Sequence, residues 1–368
     1  MSGTPHTSGS ARVPQRNSAF DLMRFLCAML VMISHSTMLT GVQLALPHAT
    51  LCVDTFFMIS GCLLCTRFGP KFAAGVLARD VAFERLVRIL PIAYAGLVFG
   101  LVAIIITTAH PDGLRLMLQT AAGMAMIPFP SLSGQSDVAP IDFPFWTLIW
   151  EVWLNLVLIF GWRRLNGAVL ASLISTAGVI VLSAAIQHGG LDFGTLVRNA
   201  GWGAARAGFA FCIGVSLAKF VSVRWTAPSI PTWAVLLMLL AVLAVPMPAA
   251  LDGIYEVGAV ALLLPVIVSF AAAARSPAWL AAISAVSGQL YYGVYAFHAP
   301  ALRIAGWLCD AARAHRAPWL VLPVGGVVLL LSYLASRSID PWAQRRARIL
   351  WASRTPARGL SRSVGDSA

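Results

Sequence analysis

Charged residues are scarce in this chain. Only 11% of the 368 residues are Asp, Glu, Lys or Arg, 59% are hydrophobic, and the mean hydropathy is +0.80. This composition excludes a soluble globular protein of the same size and indicates a polytopic membrane protein. Lysine is scarcer still, with two residues among the 26 basic ones. Such arginine usage is typical of GC-rich bacterial genomes and says nothing about function.

Acidic residues are few as well, because 14 Asp and Glu face 26 Lys and Arg, for a net charge of +12. Proteins this basic often bind nucleic acid, but here the basic residues lie between the apolar runs and in the C-terminal tail. That distribution is the positive-inside pattern of membrane proteins, and it argues against nucleic acid as a partner. The basic tail would also suit anionic lipid headgroups.

The six cysteines form no metal-binding pattern. Cys62 and Cys65 make a Cys-x-x-Cys, but it lies in an apolar run without a second pair of ligands. We therefore expect neither a zinc site nor a redox site. The first apolar run also lacks a small-residue cleavage site near its end, so we expect an uncleaved first helix rather than a signal peptide.

Apolar runs long enough to cross a bilayer predict an all-α, polytopic bundle of about ten transmembrane helices. The predicted spans are 20–41, 50–67, 87–108, 145–162, 168–186, 202–220, 232–248, 254–273, 283–308 and 318–336. We expect the chain to consist of a cytoplasmic N-terminal tail (1–19), a transmembrane domain (20–336) and a basic, disordered cytoplasmic tail (337–368). Basic residues favour the loops on one side, which puts both termini in the cytoplasm. The opposite loop, 109–144, is predicted to include a short interfacial helix.

The first predicted helix holds Asp21, Arg24 and His35 in an otherwise apolar sequence. Eleven residues at about 100° each make roughly three turns, so Arg24 and His35 share one face about 16 Å apart. Ionisable groups at membrane depth are costly and usually face a bundle interior or a wet cavity. Ordinary helix packing and interfacial capping would be the structural alternative.

Several other predicted helices carry an ionisable group toward the outer side of the bilayer. With His35 of the first helix included, six residues make up this set: His35, Glu151, Arg206, Glu256, His298 and Arg303. Their convergence on one site is a hypothesis, because helix positions in a bundle cannot be read from the sequence.

At the cytoplasmic start of the third helix, Arg85 and Arg88 lie three residues apart and share one face. Arginine binds phosphate through paired hydrogen bonds, so a phosphorylated cytosolic ligand would fit there. Positive-inside anchoring explains the same pair equally well.

These residues alone are compatible with two activities, acyl transfer and proton-coupled export. A histidine beside a carboxylate can act as a general base and deprotonate a hydroxyl for attack on an acyl group. His35 and Glu151 could instead relay protons in a membrane exporter. Exporters often show inverted repeats with broken helices, and no such repeat is evident in the sequence.

Five segments resemble the acyltransferase-3 family of bacterial integral membrane proteins, over roughly Ser18 to Ser336. They are FDLMRFLCAMLVMISH, with a basic residue and a histidine separated by ten residues, CVDTFFMISGCLL, RLVRILP, FWTLIWEVWL and GQLYYGVYAFHAP. The chain departs from the family at Val152 and Trp153, where many members have Glu-Gln, and at Cys52, where Gly is common. These departures point to an atypical acceptor pocket.

The resemblance implies an O-acetyltransferase of the bacterial inner membrane, with acetyl-CoA as donor substrate and no permanently bound cofactor. It implies that the acceptor is a hydroxyl of a cell-surface polysaccharide or another extracytoplasmic glycoside. His35 would be the catalytic base, and Glu151 would orient it or support the acceptor. The expected donor ligands are Arg24, Arg85 and Arg88, and Arg24 or a backbone N–H is also expected to act in catalysis by stabilising the oxyanion. The expected substrate ligands are Trp146, Tyr295, His298 and Arg206. Besides the bilayer, an oligomeric partner is compatible with the sequence.

Overall fold

The computed structural model describes residues 17–129, 136–221 and 228–354, and over these ranges the chain is helical without a β-strand. The all-α prediction is therefore confirmed. The α-helices in chain order are α1 (Ser18–His35), α2 (Thr37–Thr40), α3 (Leu51–Ala73), α4 (Ala78–Thr107), α5 (Gly113–Met124), α6 (Trp146–Phe160), α7 (Gly167–His188), α8 (Ala200–Ser216), α9 (Thr232–Ala244), α10 (Ala249–Gly258), α11 (Leu264–Ala273), α12 (Ala278–Ala311) and α13 (Val321–Arg354).

Each of the ten apolar runs coincides with helix, and the structure is that of a multi-pass membrane bundle. Among the described residues, eight helical segments are long and apolar enough to cross a membrane. Helix α9 is apolar but shorter, and α12 is 34 residues long with several polar side chains. The estimate of about ten spans is thus approximate, since α9 and α12 lie outside the strict count.

Local sequence explains several helix ends. Asn17 caps α1 by accepting a hydrogen bond from the backbone N–H of Phe20 at 3.0 Å, and Asn166 caps α7 in the same way. Side-chain oxygens at these positions satisfy amides that have no partner within the helix. Helix α7 ends at Gly189, whose φ of 72° lies in the left-handed region that glycine adopts without strain.

The C-terminal region differs from the prediction. Residues 337–354, assigned by sequence to a disordered tail, continue helix α13 to Arg354. The segment extends a helix that already exists, so it avoids the cost of starting a new one, and it packs against α4. The rest of the predicted tail, 355–368, lies outside the described residues, as do residues 1–16 of the N-terminal tail.

Two close helix contacts organise the bundle. Helix α12 packs against α1, α4 and α13, while α3 packs along α8. At the second contact a Cβ on Gly61 would overlap the carbonyl oxygen of Phe211, and one on Gly214 would overlap that of Met58. Small residues permit this close approach of helix backbones, which is common in membranes.

The loop between α4 and α6 folds over one end of the bundle. It contains the predicted short helix, now α5, and ends in a 3-10 turn, Phe143–Phe145, that leads directly into α6. Residues 130–135 of this loop lie outside the described residues. The 3-10 turn contacts α12, and Phe143 within it lies beside His35 at the end of α1.

Candidate active site

The last residue of α1, His35, meets His298 of α12. His35 Nδ1 lies 2.8 Å from His298 Nε2, and the rings are stacked with centroids 5.1 Å apart. His298 is fully buried, whereas His35 is only partly buried. Two ionisable groups that are 263 residues apart in the sequence therefore form one hydrogen-bonded pair.

The partners of the pair determine where its protons lie. His298 Nδ1 is 3.0 Å from the carbonyl oxygen of Val294, which can only accept a hydrogen bond. In neutral His298 the proton therefore sits on Nδ1, and Nε2 has a lone pair. That lone pair accepts from His35 Nδ1, so the lone pair of His35 resides on Nε2. Such a nitrogen is equipped to accept a proton from a substrate.

Aromatic rings surround the pair. Phe143 meets His35 edge-on with ring centroids 4.6 Å apart, and Tyr295 meets His298 edge-on at 5.7 Å. Tyr295 lies one turn before His298 on α12, and its hydroxyl is 2.7 Å from Thr147 Oγ1 on α6. These contacts fix His298, which in turn orients His35.

A cavity of about 740 Å³ approaches the pair from the opposite end of the bundle. Apolar walls come from Val53, Phe56, Ile92 and Leu148 among others. The polar side chains in its lining are Arg24, Arg67, Asp80, Glu84, Arg85, Arg88, Thr147, Glu151, Gln289, Tyr291, Tyr292, Tyr295, Ser336, Asp340, Gln344 and Arg348. We call the end with Arg67, Arg88 and Arg348 the basic mouth, because all three are exposed there.

One side chain, that of Tyr295, lies between the cavity and the histidine pair. Tyr295 lines the cavity and also contacts His298. Phe56, another wall residue, meets Tyr295 edge-on at 5.7 Å.

Arg24 is buried in the cavity wall with incomplete hydrogen bonding. Its Nη1 donates to the hydroxyl of Tyr291 at 3.0 Å, and its guanidinium lies 5.2 Å from the centroid of that ring. Its Nε has no hydrogen-bond partner among the described residues. A buried N–H without an acceptor costs free energy unless a ligand or a water accepts a hydrogen bond from it. Arg24 is therefore suited to bind an anionic or carbonyl group in the cavity.

Arg85 and Glu151 both line the same cavity and form an ion pair in its wall. Arg85 Nη2 lies 3.0 Å from Glu151 Oε1 and 2.6 Å from Ser60 Oγ, and its Nε donates to Asn155 Oδ1 at 2.9 Å. Ser60 Oγ in turn donates to Glu151 at 2.6 Å. Glu151 is therefore bonded to Arg85 and Ser60, while the hydrogen-bond partner of His35 is His298.

The structure does not bring the remaining predicted site residues into the cavity. Arg206 is 2% exposed, and it donates to both oxygens of Asp54, to the Leu191 carbonyl and to Thr50. Trp146 is buried against Gly194 and Gly203. The role of Arg206 and Trp146 in binding the acceptor stays a prediction.

The other charges at depth also have their own partners. Glu256 accepts from His48 Nδ1 at 3.0 Å, and Arg303 donates to Thr107 Oγ1 at 2.7 Å. The six groups expected on the outer side therefore do not form a single cluster. Of these groups, only His35 and His298 form a pair with each other.

Sequence reasoning missed several members of the site. Tyr291 precedes Tyr295 by four residues, so helical spacing alone would have placed it on the same face. Ser60, Asn155 and Phe143 gave no such signal, because their importance comes from partners on other helices.

A family model described as an acyltransferase domain, of the acyltransferase-3 type, matches residues 17–337, most of the chain. Comparisons with curated proteins and with solved structures gave no match.

Proposed function

Since the chain belongs to the acyltransferase-3 family, we propose that it moves an acyl group from acyl-CoA to a hydroxyl of an extracytoplasmic or cell-surface glycan. Acetyl is the proposed acyl group, and His35 is the proposed general base. The observation that carries the proposal is the hydrogen-bonded pair of His35 and His298, which the Tyr295 side chain separates from a cavity with a basic mouth.

The cavity suits the donor. Basic residues at its mouth would hold the phosphates of acyl-CoA, and the pantetheine arm would extend inward between apolar walls. Arg24 and His35 are eleven helical residues apart, about 16 Å along the axis. An extended thioester arm bridges such a distance, so the thioester would reach His35 past Tyr295 while the nucleotide stays at the mouth.

In the proposed reaction, His35 Nε2 takes the proton of the acceptor hydroxyl as the oxygen attacks the thioester carbonyl. The tetrahedral intermediate collapses, the carbon–sulfur bond breaks, and the thiolate of CoA leaves. The proton on His35 then passes to the thiolate, so the products are the acyl ester and CoA. His298 Nε2 accepts a hydrogen bond from the Nδ1–H of His35 throughout and so stabilises the transient imidazolium.

The positive-inside pattern supports an orientation with the basic mouth toward the cytoplasm, where acyl-CoA is made. The histidine pair would then lie toward the extracytoplasmic side, in a bacterial inner membrane with both termini cytoplasmic. The exporter alternative required His35 and Glu151 to share a proton path. Glu151 is bonded instead to Arg85 and Ser60, and no observation favours a relay.

Membrane vesicles that contain the protein provide the test. With acetyl-CoA labelled in the acetyl group, we expect label to appear in a glycan fraction and free CoA to be released in equal amount. Vesicles from cells without the protein are the control. Release of CoA without any labelled acceptor, or no release when cell-surface glycan is supplied, would contradict the proposal.

A further inference from the structure

The C-terminal part of α13 lies beyond the residues that match the family. The family match ends at residue 337, and the helix continues to Arg354. Ser336, Asp340, Gln344, Arg348 and Trp351 all line the cavity. Their spacing of four, four, four and three residues puts them on one face of the helix, along about 22 Å. This face is therefore a wall of the cavity from its inner half to its mouth.

The end of the helix is fixed in place by an aromatic contact. The Trp351 ring stacks on Phe83 of α4 with centroids 4.2 Å apart and an interplanar angle of 12°. Phe83 also lines the cavity and lies two residues before Arg85. The stacking holds the last turns of α13 beside the basic residues of α4.

Basic side chains cluster where α4 and α13 meet. Arg67, on α3, is close enough to both Arg88 and Arg348 to feel their repulsion. Arg67 shares the carboxylate of Glu84 with Lys71. Across the described ranges, by contrast, no carboxylate lies within 4.0 Å of Arg88 or Arg348. Arg348 makes only a long hydrogen bond of 3.5 Å to Gln344.

We propose that the C-terminal part of α13, residues 338–354, completes the donor site, and that Arg348 acts with Arg88 to bind the phosphate groups of acyl-CoA. This inference rests on the proposed function. It assigns a ligand to a segment that the family match does not reach.

The chemistry of the mouth favours this assignment. Guanidinium groups bind phosphate oxygens through paired, charge-assisted hydrogen bonds. Two arginines without a carboxylate partner, next to a third, repel one another until an anion sits between them. Phosphates held there would leave the rest of the ligand pointing along the α13 wall toward Arg24 and Tyr295. An isolated surface arginine would have no such cavity beside it.

The same helix offers matched controls. Arg345 and Arg346 are also exposed, but they line a separate groove with Arg337, Trp342 and Ile349 on another face. Arg346→Gln therefore removes the same charge from the same turn of helix without altering the cavity wall. Anionic lipid headgroups could attract any of these arginines, so the membrane must be neutral in the main test.

The experiment measures the Kd of CoA for the purified full chain in nanodiscs of phosphatidylcholine, by calorimetry. We expect Arg348→Gln and Arg88→Gln each to raise Kd by about tenfold or more, as for the loss of one charge-assisted contact. Arg346→Gln should leave Kd unchanged. Thermal unfolding of each variant checks that the fold is retained.

The outcomes separate the inference from the function. Equal Kd values for wild type, Arg348→Gln and Arg346→Gln would overturn the inference while leaving CoA binding established. Equal losses in Arg348→Gln and Arg346→Gln would overturn it too, because they would indicate a general effect of surface charge. A Kd for Arg348→Gln that departs from wild type only in nanodiscs with phosphatidylglycerol would assign Arg348 to lipid instead. If wild type binds no CoA in either membrane, the proposed function itself fails.

Discussion

His298 determines how His35 can act, because its two ring nitrogens have different partners. Its Nδ1 faces the Val294 carbonyl and its Nε2 faces His35. We therefore expect His298→Ala to lower kcat by about 10- to 100-fold, the equivalent of one hydrogen bond to a charged group. The KM for acetyl-CoA should not change, since His298 lies outside the donor cavity.

A conservative variant distinguishes this positioning role from a loss of folding. His298→Gln retains an oxygen that can accept from His35 Nδ1. We expect it to recover a substantial part of the activity that His298→Ala loses, as measured by initial rates at matched protein amounts. Equal activities of the two variants would show that the acceptor at this position does not matter.

Asp142 is a second residue with a testable electrostatic role. It lies just before the turn that carries Phe143, it is 3% exposed, and its Oδ1 has no hydrogen-bond partner among the residues that the structure describes. Burial raises the pKa of Asp142 well above its ordinary value. The folded chain therefore holds a proton that the unfolded chain releases above about pH 3.9.

The stabilisation from this protonated carboxyl is complete below the unfolded pKa and is lost as the pH rises through the folded pKa. We expect Asp142→Asn, which stays neutral, to have a higher Tm than wild type at pH 8. The difference should shrink as the pH is lowered to 5. Thermal unfolding in detergent across this range is the measurement, and a Tm difference independent of pH would contradict the assignment.

Helix positions could be predicted from the sequence far better than helix contacts. Each of the ten apolar runs coincides with helix, because the bilayer itself requires segments of that length and composition. Residues 337–354 were missed as helix, since they are polar and their order depends on the rest of α13 and on Phe83. The pairing of Glu151 with Arg85, rather than with His35, depends on the rotation and depth of α4 and α6, which no local pattern encodes.

The contact between α3 and α8 gives an element-scale prediction. Gly61→Ala or Gly214→Ala would push a methyl group into the backbone of the facing helix. We expect either change to lower stability by about 1–3 kcal/mol or more through overpacking, measured as a fall in Tm. Gly201→Ala, also on α8, is the matched control, because nothing lies within 4 Å of a Cβ at that position. A Tm for Gly214→Ala equal to that of Gly201→Ala would mean that the helices are less closely packed.

At the scale of the whole molecule, we propose that the mouth of the donor cavity and the acceptor lie on opposite sides of the bilayer. Ala74, at the end of α3, and Ala314, after α12, are both exposed and lie at opposite ends of the predicted topology. Five of the native cysteines are buried, and Cys309 is only partly so. In a Cys309→Ser background, we expect an impermeant thiol reagent to label Ala314→Cys on intact cells but to label Ala74→Cys only after permeabilisation. The reverse pattern would invert the proposed orientation.

The motifs predicted the two ends of the proposed reaction path, His35 and the basic residues of α4, but not the cavity lining between them. That lining includes Tyr291, Tyr295 and the α13 wall, which come together through packing of α1, α4, α12 and α13. The family indicates the class of reaction, and the packing of the helices determines which side chains lie together.

The most direct test of the central claim is acyl transfer by His35→Ala in vesicles, with labelled acetyl-CoA and matched protein amounts. His315→Ala, in the exposed segment after α12, is the control. We expect His35→Ala to lower transfer by about 10²–10⁴-fold, as for loss of a general base, while CoA binding and His315→Ala activity stay at the wild-type level. Equal transfer by His35→Ala and wild type would show that His35 is not the base and would remove the histidine pair from the mechanism.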